Sequence, residues 1–126
     1  RHLAEASLRR VAQMSPTNFI AQVNLGLLLI DNKQYQEAIT TLNKAAALAP
    51  KNSRVWSALG RAQLELGETS SAESNLRRAI ELDGNNPYAH NNLGVLLQRL
   101  GQRDEARQEF KTALALDPDL EVVGDE

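Results

Sequence analysis

Chemistry needs reactive side chains at set spacings, and this chain offers few. Its two histidines are His2 and His90, and it has no cysteine. A metal partner for His90 would be sought one helical turn away, at positions 93 and 94, but these hold Leu93 and Gly94. A structural or catalytic zinc site gathers three or four such ligands, and no H-E-x-x-H pair is present. The chain also lacks the G-x-S-x-G turn of a serine nucleophile, the Walker phosphate loop and the G-x-G-x-x-G dinucleotide turn. Asp31 and Glu65 fall within apolar-periodic segments and read as solvated helix-surface carboxylates. No catalytic residue, metal ligand or cofactor is expected, and the chain is not expected to be an enzyme.

Composition narrows the remaining classes. The chain has 126 residues, 42% hydrophobic and 24% charged, which suits a folded chain with a buried core. Fourteen Lys and Arg stand against sixteen Asp and Glu, so no basic excess points to nucleic acid. Five of the acids fall in residues 117–126, where there is no base; elsewhere 14 basic residues face 11 acidic ones, a balance of +3. The longest apolar run, Leu25 to Ile30, is far shorter than the ~20 residues that a membrane helix requires, so no membrane insertion is expected. The absence of cysteine removes disulfides and thiol chemistry and suits either a cytoplasmic or a periplasmic setting. The chain opens on Arg1, not Met, which reads as a fragment or a processed form.

Internal repetition organises the chain. Leu25-Gly26, Leu59-Gly60 and Leu93-Gly94 recur at a step of 34 residues. The same step links Ala38, Ala72 and Ala106; Leu42, Leu76 and Phe110; Ala45, Ala79 and Ala113; and Leu48, Leu82 and Leu116. Pro50 and Pro118 follow it, with Gly84 between them. Within each copy the apolar positions keep helical spacing. Asn18, Asn52 and Asn86 precede the first helix of each copy and read as N-caps. Pro87 suits a first helical turn, and Gly67 and Gly101 read as helix stops. Seven helices are predicted, near 2–14, 19–31, 35–48, 53–66, 69–82, 87–100 and 103–116. Gly26, Gly60 and Gly94 lie inside helices, where Gly costs about 1 kcal/mol relative to Ala. Close approach of the paired helix at the small residues Ala38, Ala72 and Ala106 is the expected compensation.

These residues resemble the tetratricopeptide repeat (TPR), a helix–turn–helix unit of about 34 residues. The resemblance places repeats at 19–52, 53–86 and 87–120, the second helix of a preceding unit at 1–18, and an acidic tail at 121–126. Ala4, Leu8, Val11 and Pro16 carry the partial copy. The pattern departs from the family at Gln22 and His90, where an aromatic is usual, at Gln63, and at Gly84 in place of Pro. His90 occupies the register of Trp56 and is expected to pack, half-buried, between adjacent repeats. The resemblance implies an all-α fold, an α-solenoid of antiparallel helix pairs coiled into a right-handed superhelix, with the first helix of each pair lining the concave side.

The family's ligand-facing positions then fall on Ile20, Val23, Asn24, Leu27, Ile30 and Asp31; on Arg54, Ser57, Ala58, Arg61, Leu64 and Glu65; and on Tyr88, Asn91, Asn92, Val95, Gln98 and Arg99. The candidate contacts are Asn24, Leu27, Asp31, Arg54, Ser57, Arg61, Tyr88, Asn91, Asn92, Val95 and Arg99. The surface should be apolar at its N-terminal end and polar, partly basic, toward the C-terminal end, with Arg54, Arg61 and Arg99 as a small basic patch. Two family ligand modes fit poorly. The chaperone-type carboxylate clamp would need Lys or Asn where Val23, Leu27, Ala58 and Tyr88 stand. A continuous asparagine ladder, like that of the O-GlcNAc transferase repeats, is kept at Asn24 and Asn92 but broken at Ala58.

The resemblance thus implies a protein-interaction scaffold that takes a peptide segment or partner protein in the concave groove. Two other readings stay open: a self-assembly module whose uncapped ends stack copies into a homo-oligomer, and the interaction arm of a larger enzyme or secretion machine. The uncapped ends follow from the absence of a polar closing helix after Pro118, which should leave an apolar face of helix 103–116 uncovered. Leu120, Val122 and Val123 could begin a further helix.

Overall fold

A computed structural model of the chain describes residues 2–120, and within them side chains from Ala4 onward. The acidic segment 121–126, including Val122 and Val123, lies outside the described residues. Seven helices follow one another: α1 His2–Met14, α2 Phe19–Asp31, α3 Tyr35–Leu48, α4 Ser53–Leu66, α5 Thr69–Leu82, α6 Pro87–Arg99 and α7 Arg103–Leu116. No strand occurs among the described residues. The sequence-based bounds agree with these, except that α6 ends at Arg99 and Leu100 becomes its C-cap.

The helix starts have a common cause. Asn18 Oδ1 accepts from the backbone N–H of Ile20 and Ala21, Asn52 Oδ1 from Arg54 and Val55, and Asn86 Oδ1 from Tyr88 and Ala89, all at 3.0–3.3 Å. Each asparagine so satisfies two N–H groups that the first helical turn leaves without a partner. The reversals after α4 and α6 use Gly67 and Gly101 at φ +92° and +84°. The equivalent turn after α2 places Lys33 at φ +63°, a left-handed conformation that a side chain disfavours.

The helices pack as antiparallel pairs, α2 with α3, α4 with α5 and α6 with α7, and the first helix of a pair packs on both helices of the pair before it, α4 on α2 and α3, and α6 on α4 and α5. The 34-residue step appears inside these pairs as fully buried positions. Leu42, Leu76, Ala45, Ala79 and Ala113 have no exposed surface, and Phe110 is nearly covered. The helical glycines also receive these larger residues, which lie one turn along the partner helix from Ala38, Ala72 and Ala106. A Cβ at Gly26 would lie 2.6 Å from Leu42 Cγ, at Gly60 2.6 Å from Leu76 Cγ, and at Gly94 2.6 Å from Phe110 Cε1. At Gly60 the backbone of the partner helix is close as well, with Ala72 O 3.2 Å from the Cβ position. Each glycine is therefore a socket for a Leu or Phe side chain of the partner helix.

Polar contacts fix the joints between pairs. Gln22 Nε2 donates to Pro16 O at 3.3 Å, Trp56 Nε1 to Pro50 O at 2.7 Å, and His90 Nε2 lies 2.9 Å from Gly84 O. Three different side chains at one register thus reach the same carbonyl, six residues back. His90 is buried as well as packed, and its Nδ1 lies 2.7 Å from Glu109 Oε1. On the outer side Arg9 of α1 links Glu5 and Glu37 of α3, and Arg77 of α5 links Glu73 and Glu105 of α7. Asn86 adds a further tie at one joint. Its Nδ2 donates to Ser53 Oγ at 2.9 Å, and Ser53 Oγ donates to Ala79 O at 2.7 Å.

The two ends differ. Among the described helices α1 lies against α2 and α7 against α6, and each reaches one further helix through an ion pair, Arg9–Glu37 to α3 and Arg77–Glu105 to α5. Beyond Ala106, Phe110 and Ala113, the surface of α7 is largely polar, with Arg103, Asp104, Glu105, Arg107, Gln108, Lys111 and Thr112 exposed. The broad apolar face anticipated there is reduced to the half-buried Leu114 and the more exposed Leu116. Apolar exposure is greater on α1, where Val11 is 47% and Met14 76% accessible.

Candidate functional site

The first helices of the three complete pairs, α2, α4 and α6, line an open cleft of about 560 Å³. Equivalent positions on the three helices form rows across it, because the 34-residue step keeps the same helical face turned inward. One row is Leu27, Arg61 and Val95. A second is Asp31, Glu65 and Arg99. Arg54 and Tyr88 belong to a third, and Ser57, Ala58, Asn91 and Asn92 fill the space between. Ile30 and Leu64 supply an apolar floor at 3% and 5% exposure.

Ten of the eleven candidate residues meet in this cleft: Leu27, Asp31, Arg54, Ser57, Arg61, Tyr88, Asn91, Asn92, Val95 and Arg99. Asn24 is exposed on α2 but is not among the lining residues. Val23, expected on the same face, is buried against Ala45, Ala46 and Val55. The expected apolar end of the groove therefore narrows to Leu27 and Ile30. Leu120 is an addition that helix periodicity does not supply, since it follows α7. Its N–H bonds to Asp117 O at 3.1 Å, and the residue reaches the cleft wall. The 34-residue step gave no signal for it, because it assigns Leu120 to the N-cap register of Asn52 and Asn86, which do not line the cleft.

Not every lining group is available to a ligand. Ser57 is 2% exposed; its Oγ donates to Arg54 O at 3.1 Å and receives Asn86 Nδ2 at 3.4 Å. It belongs to the joint between α4 and α6. Arg99 is held by Glu65 at 3.0 Å, so the basic patch expected from Arg54, Arg61 and Arg99 contracts. Arg54 and Arg61 are exposed and have no ion-pair partner among the described residues. Asn91 Oδ1 is buried without a hydrogen-bond partner. An unsatisfied buried acceptor costs about 1–3 kcal/mol. Among the described residues no cluster of His, Cys, Asp or Glu could hold a metal, and no helix is long and apolar enough to cross a membrane.

Family models described as tetratricopeptide repeat match residues 2–64 and 57–121. The chain belongs to the tetratricopeptide-repeat family. Among solved structures, a crystal structure of MamA is 25% identical, with a TM-score of 0.77 over 91% of this chain and 67% of that one. The TPR domain of Arabidopsis OM64 is 25% identical, with a TM-score of 0.76 over 82% of this chain and 86% of that one. The second TPR of Spaghetti (RPAP3), bound to the HSP90 peptide SRMEEVD, is 27% identical, with a TM-score of 0.73 over 84% of this chain and 98% of that one. The chain spans about two-thirds of the length of the MamA chains it matches. A comparison with curated protein sequences finds no match. In this TPR chain the inner helices thus combine a half-buried aliphatic surface, two unpaired cations and several amides on one concave wall.

Proposed function

We propose that this TPR array is a non-enzymatic interaction scaffold that takes a peptide segment of a partner protein in its α2–α4–α6 cleft. The observation that carries this reading is the convergence of Leu27, Arg61, Tyr88, Asn91, Asn92 and Val95 on one concave wall. Aliphatic side chains supply desolvated contact area, and amides supply hydrogen bonds to a ligand backbone. The structurally similar RPAP3 domain holds a peptide, which supports the reading at the level of fold. The clamp residues of the chaperone-binding type are replaced here by Val23, Leu27, Ala58 and Tyr88, so the ligand should differ from a chaperone tail.

The test is site-specific photo-crosslinking in the native cell, with the probe placed at Val95 in the cleft and at exposed Lys44 on α3. Adducts to one partner from Val95, and none from Lys44, are expected. The reverse pattern moves the site to the convex face. The exposed Val11 and Met14 of α1 favour self-assembly as a second reading. Light scattering that reports a monomer across a wide concentration range eliminates it.

A further inference from the structure

His90 differs in kind from the residues that share its register. Gln22 and Trp56 hold the carbonyl six residues back with an amide and an indole N–H, which do not titrate. Their neighbours in the register of Glu109 are Thr41 and Asn75, which do not titrate either. At the third joint both ring nitrogens of His90 are engaged, Nε2 2.9 Å from Gly84 O and Nδ1 2.7 Å from Glu109 Oε1. A backbone carbonyl only accepts, so Nε2 must carry hydrogen. An ionised carboxylate also only accepts, so the contact at Nδ1 needs a hydrogen too. A neutral imidazole has one N–H and an ionised Glu none, which is one hydrogen short. The two contacts therefore coexist only when the His90–Glu109 pair holds one further proton, on the ring or on the carboxyl group.

Nothing nearby replaces that proton. On α7, Glu105 is bound to Arg77, and Lys111 is exposed. On α5, Arg77 also holds Glu73, Arg78 lies over the Trp56 ring, and Glu81 is exposed. In the turn before α6, Asp83 accepts from the Asn85 N–H. Arg54, Arg61 and Glu65 of α4 line the cleft. Among the described residues neither His90 nor Glu109 has another hydrogen-bond or ion-pair partner. The two side chains are only 10% and 20% exposed, so water compensates little for a lost contact.

We propose that His90 and Glu109 form a proton-dependent latch that ties α6 and α7 to the α5–α6 turn, so that loss of one proton loosens this joint and not the two before it. When the proton leaves, the Nδ1 lone pair opposes the carboxylate, or the ring moves its remaining hydrogen to Nδ1 and abandons Gly84 O. Either way one contact is lost. The closed joint binds more protons than the opened one, so its stability is greatest on the acid side and falls as pH rises through the histidine range, about pH 5–8. The latch is independent of what the cleft binds. It does bear on the cleft's shape, because Asn91, Asn92 and Val95 follow His90 on α6 and form one wall. Protonation of a histidine at a joint between packed elements is a recognised means of switching such a joint.

The test is urea unfolding of the whole chain at about pH 5.5 and about pH 8, on either side of the histidine range, for the native chain, His90→Gln and Glu109→Gln. Measured against His90→Gln, which cancels His2 and most carboxylates, the folding equilibrium of the native chain should weaken about tenfold from the acid to the alkaline side. That is the worth of one hydrogen bond to a charged group. Glu109→Gln should lose this response, because its amide can donate to a bare Nδ1 and a neutral ring then keeps both contacts. An equal pH response in the native chain and His90→Gln would overturn the latch, as would a tenfold response that survives in Glu109→Gln. Nitrogen NMR of the ring tests the same point without altering the joint, with His2→Gln leaving a single imidazole. The His90 ring and the first-turn amides of α6 should shift together in one titration step. A ring that titrates without moving those amides, or whose Nε2 is bare in the folded chain, would also overturn it.

Discussion

Gly94→Ala separates two opposing effects that the structure places at one atom. Ala is favoured over Gly inside a helix by about 1 kcal/mol, so an exposed mid-helix glycine gains stability from this change. Gly94 is not exposed to that gain alone. The added methyl would lie 2.6, 2.8 and 3.1 Å from Cε1, Cδ1 and Cζ of Phe110, whereas carbon atoms rest at about 3.5–4.0 Å. The ring would have to retreat by about 1 Å. It cannot do so cheaply, because Phe110 is 5% exposed and shares a core with Leu93, Leu97 and Ala106. Overpacking of this kind costs about 1–3 kcal/mol, which leaves a net loss of about 0–2 kcal/mol.

The decisive measurement is the same substitution in a Phe110→Ala background. There the obstacle is gone and only the propensity gain remains, so Gly94→Ala should now stabilise by about 1 kcal/mol. Urea unfolding of the four proteins of the cycle, followed by helical circular dichroism, gives both values. Equal destabilisation in the two backgrounds would refute the socket argument. As an internal control, Gly60→Ala should cost more than Gly94→Ala, because its methyl also meets the backbone oxygen of Ala72 at 3.2 Å, and a carbonyl cannot rotate aside.

Four further outcomes are expected. Lys33→Gly should stabilise by about 1 kcal/mol in denaturant melts, because it removes a side chain from the left-handed turn that Gly67 and Gly101 occupy elsewhere. His90→Leu should cost about 1–2 kcal/mol by leaving Gly84 O and Glu109 without their partner, while His90→Gln, which reproduces the donor at Gln22, should recover most of it. The hydrogen bond from Arg9 holds the Glu37 carboxylate below its usual 4.5, and the hydrogen bonds from Arg9 and Asn32 do the same for Glu5. A carboxylate lowered by folding stabilises above its unfolded pKa and loses that contribution as pH falls through the folded one. Hydrogen exchange should therefore show α1 loosening below about pH 4.5 before the α4–α5 pair does. Asn91→Ala should leave the ligand-free chain equally stable, or raise it by up to about 1 kcal/mol, since it deletes an unsatisfied acceptor; a loss above 1 kcal/mol in the same melt would show that Asn91 is structural.

The repeat architecture was legible because it is written several times. A single Leu-Gly pair says little, but Leu25-Gly26, Leu59-Gly60 and Leu93-Gly94 at one step fix helix, register and inward face together. What remained hidden is specific to one joint, or depends on which side chain finds which partner. Gln22 and His90 stand where an aromatic was expected, yet both reach the carbonyl that Trp56 reaches one step away. The conserved quantity at that register is a donor aimed at a carbonyl, which residue type alone conceals. Gln63 is another apparent departure, and its buried amide is met by Asn75 Nδ2 at 2.8 Å. The same limit applies to the cleft. Three arginines could be assigned to it from the step, but they carry unequal charge to a ligand, because Arg99 is paired with Glu65 across neighbouring helices, 34 residues away. Periodicity predicts which residues face inward. Only the pairings between neighbouring helices decide which of them remain free, and among the described residues Arg54 and Arg61 have no ion-pair partner, although Glu65 stands one turn from Arg61 on α4.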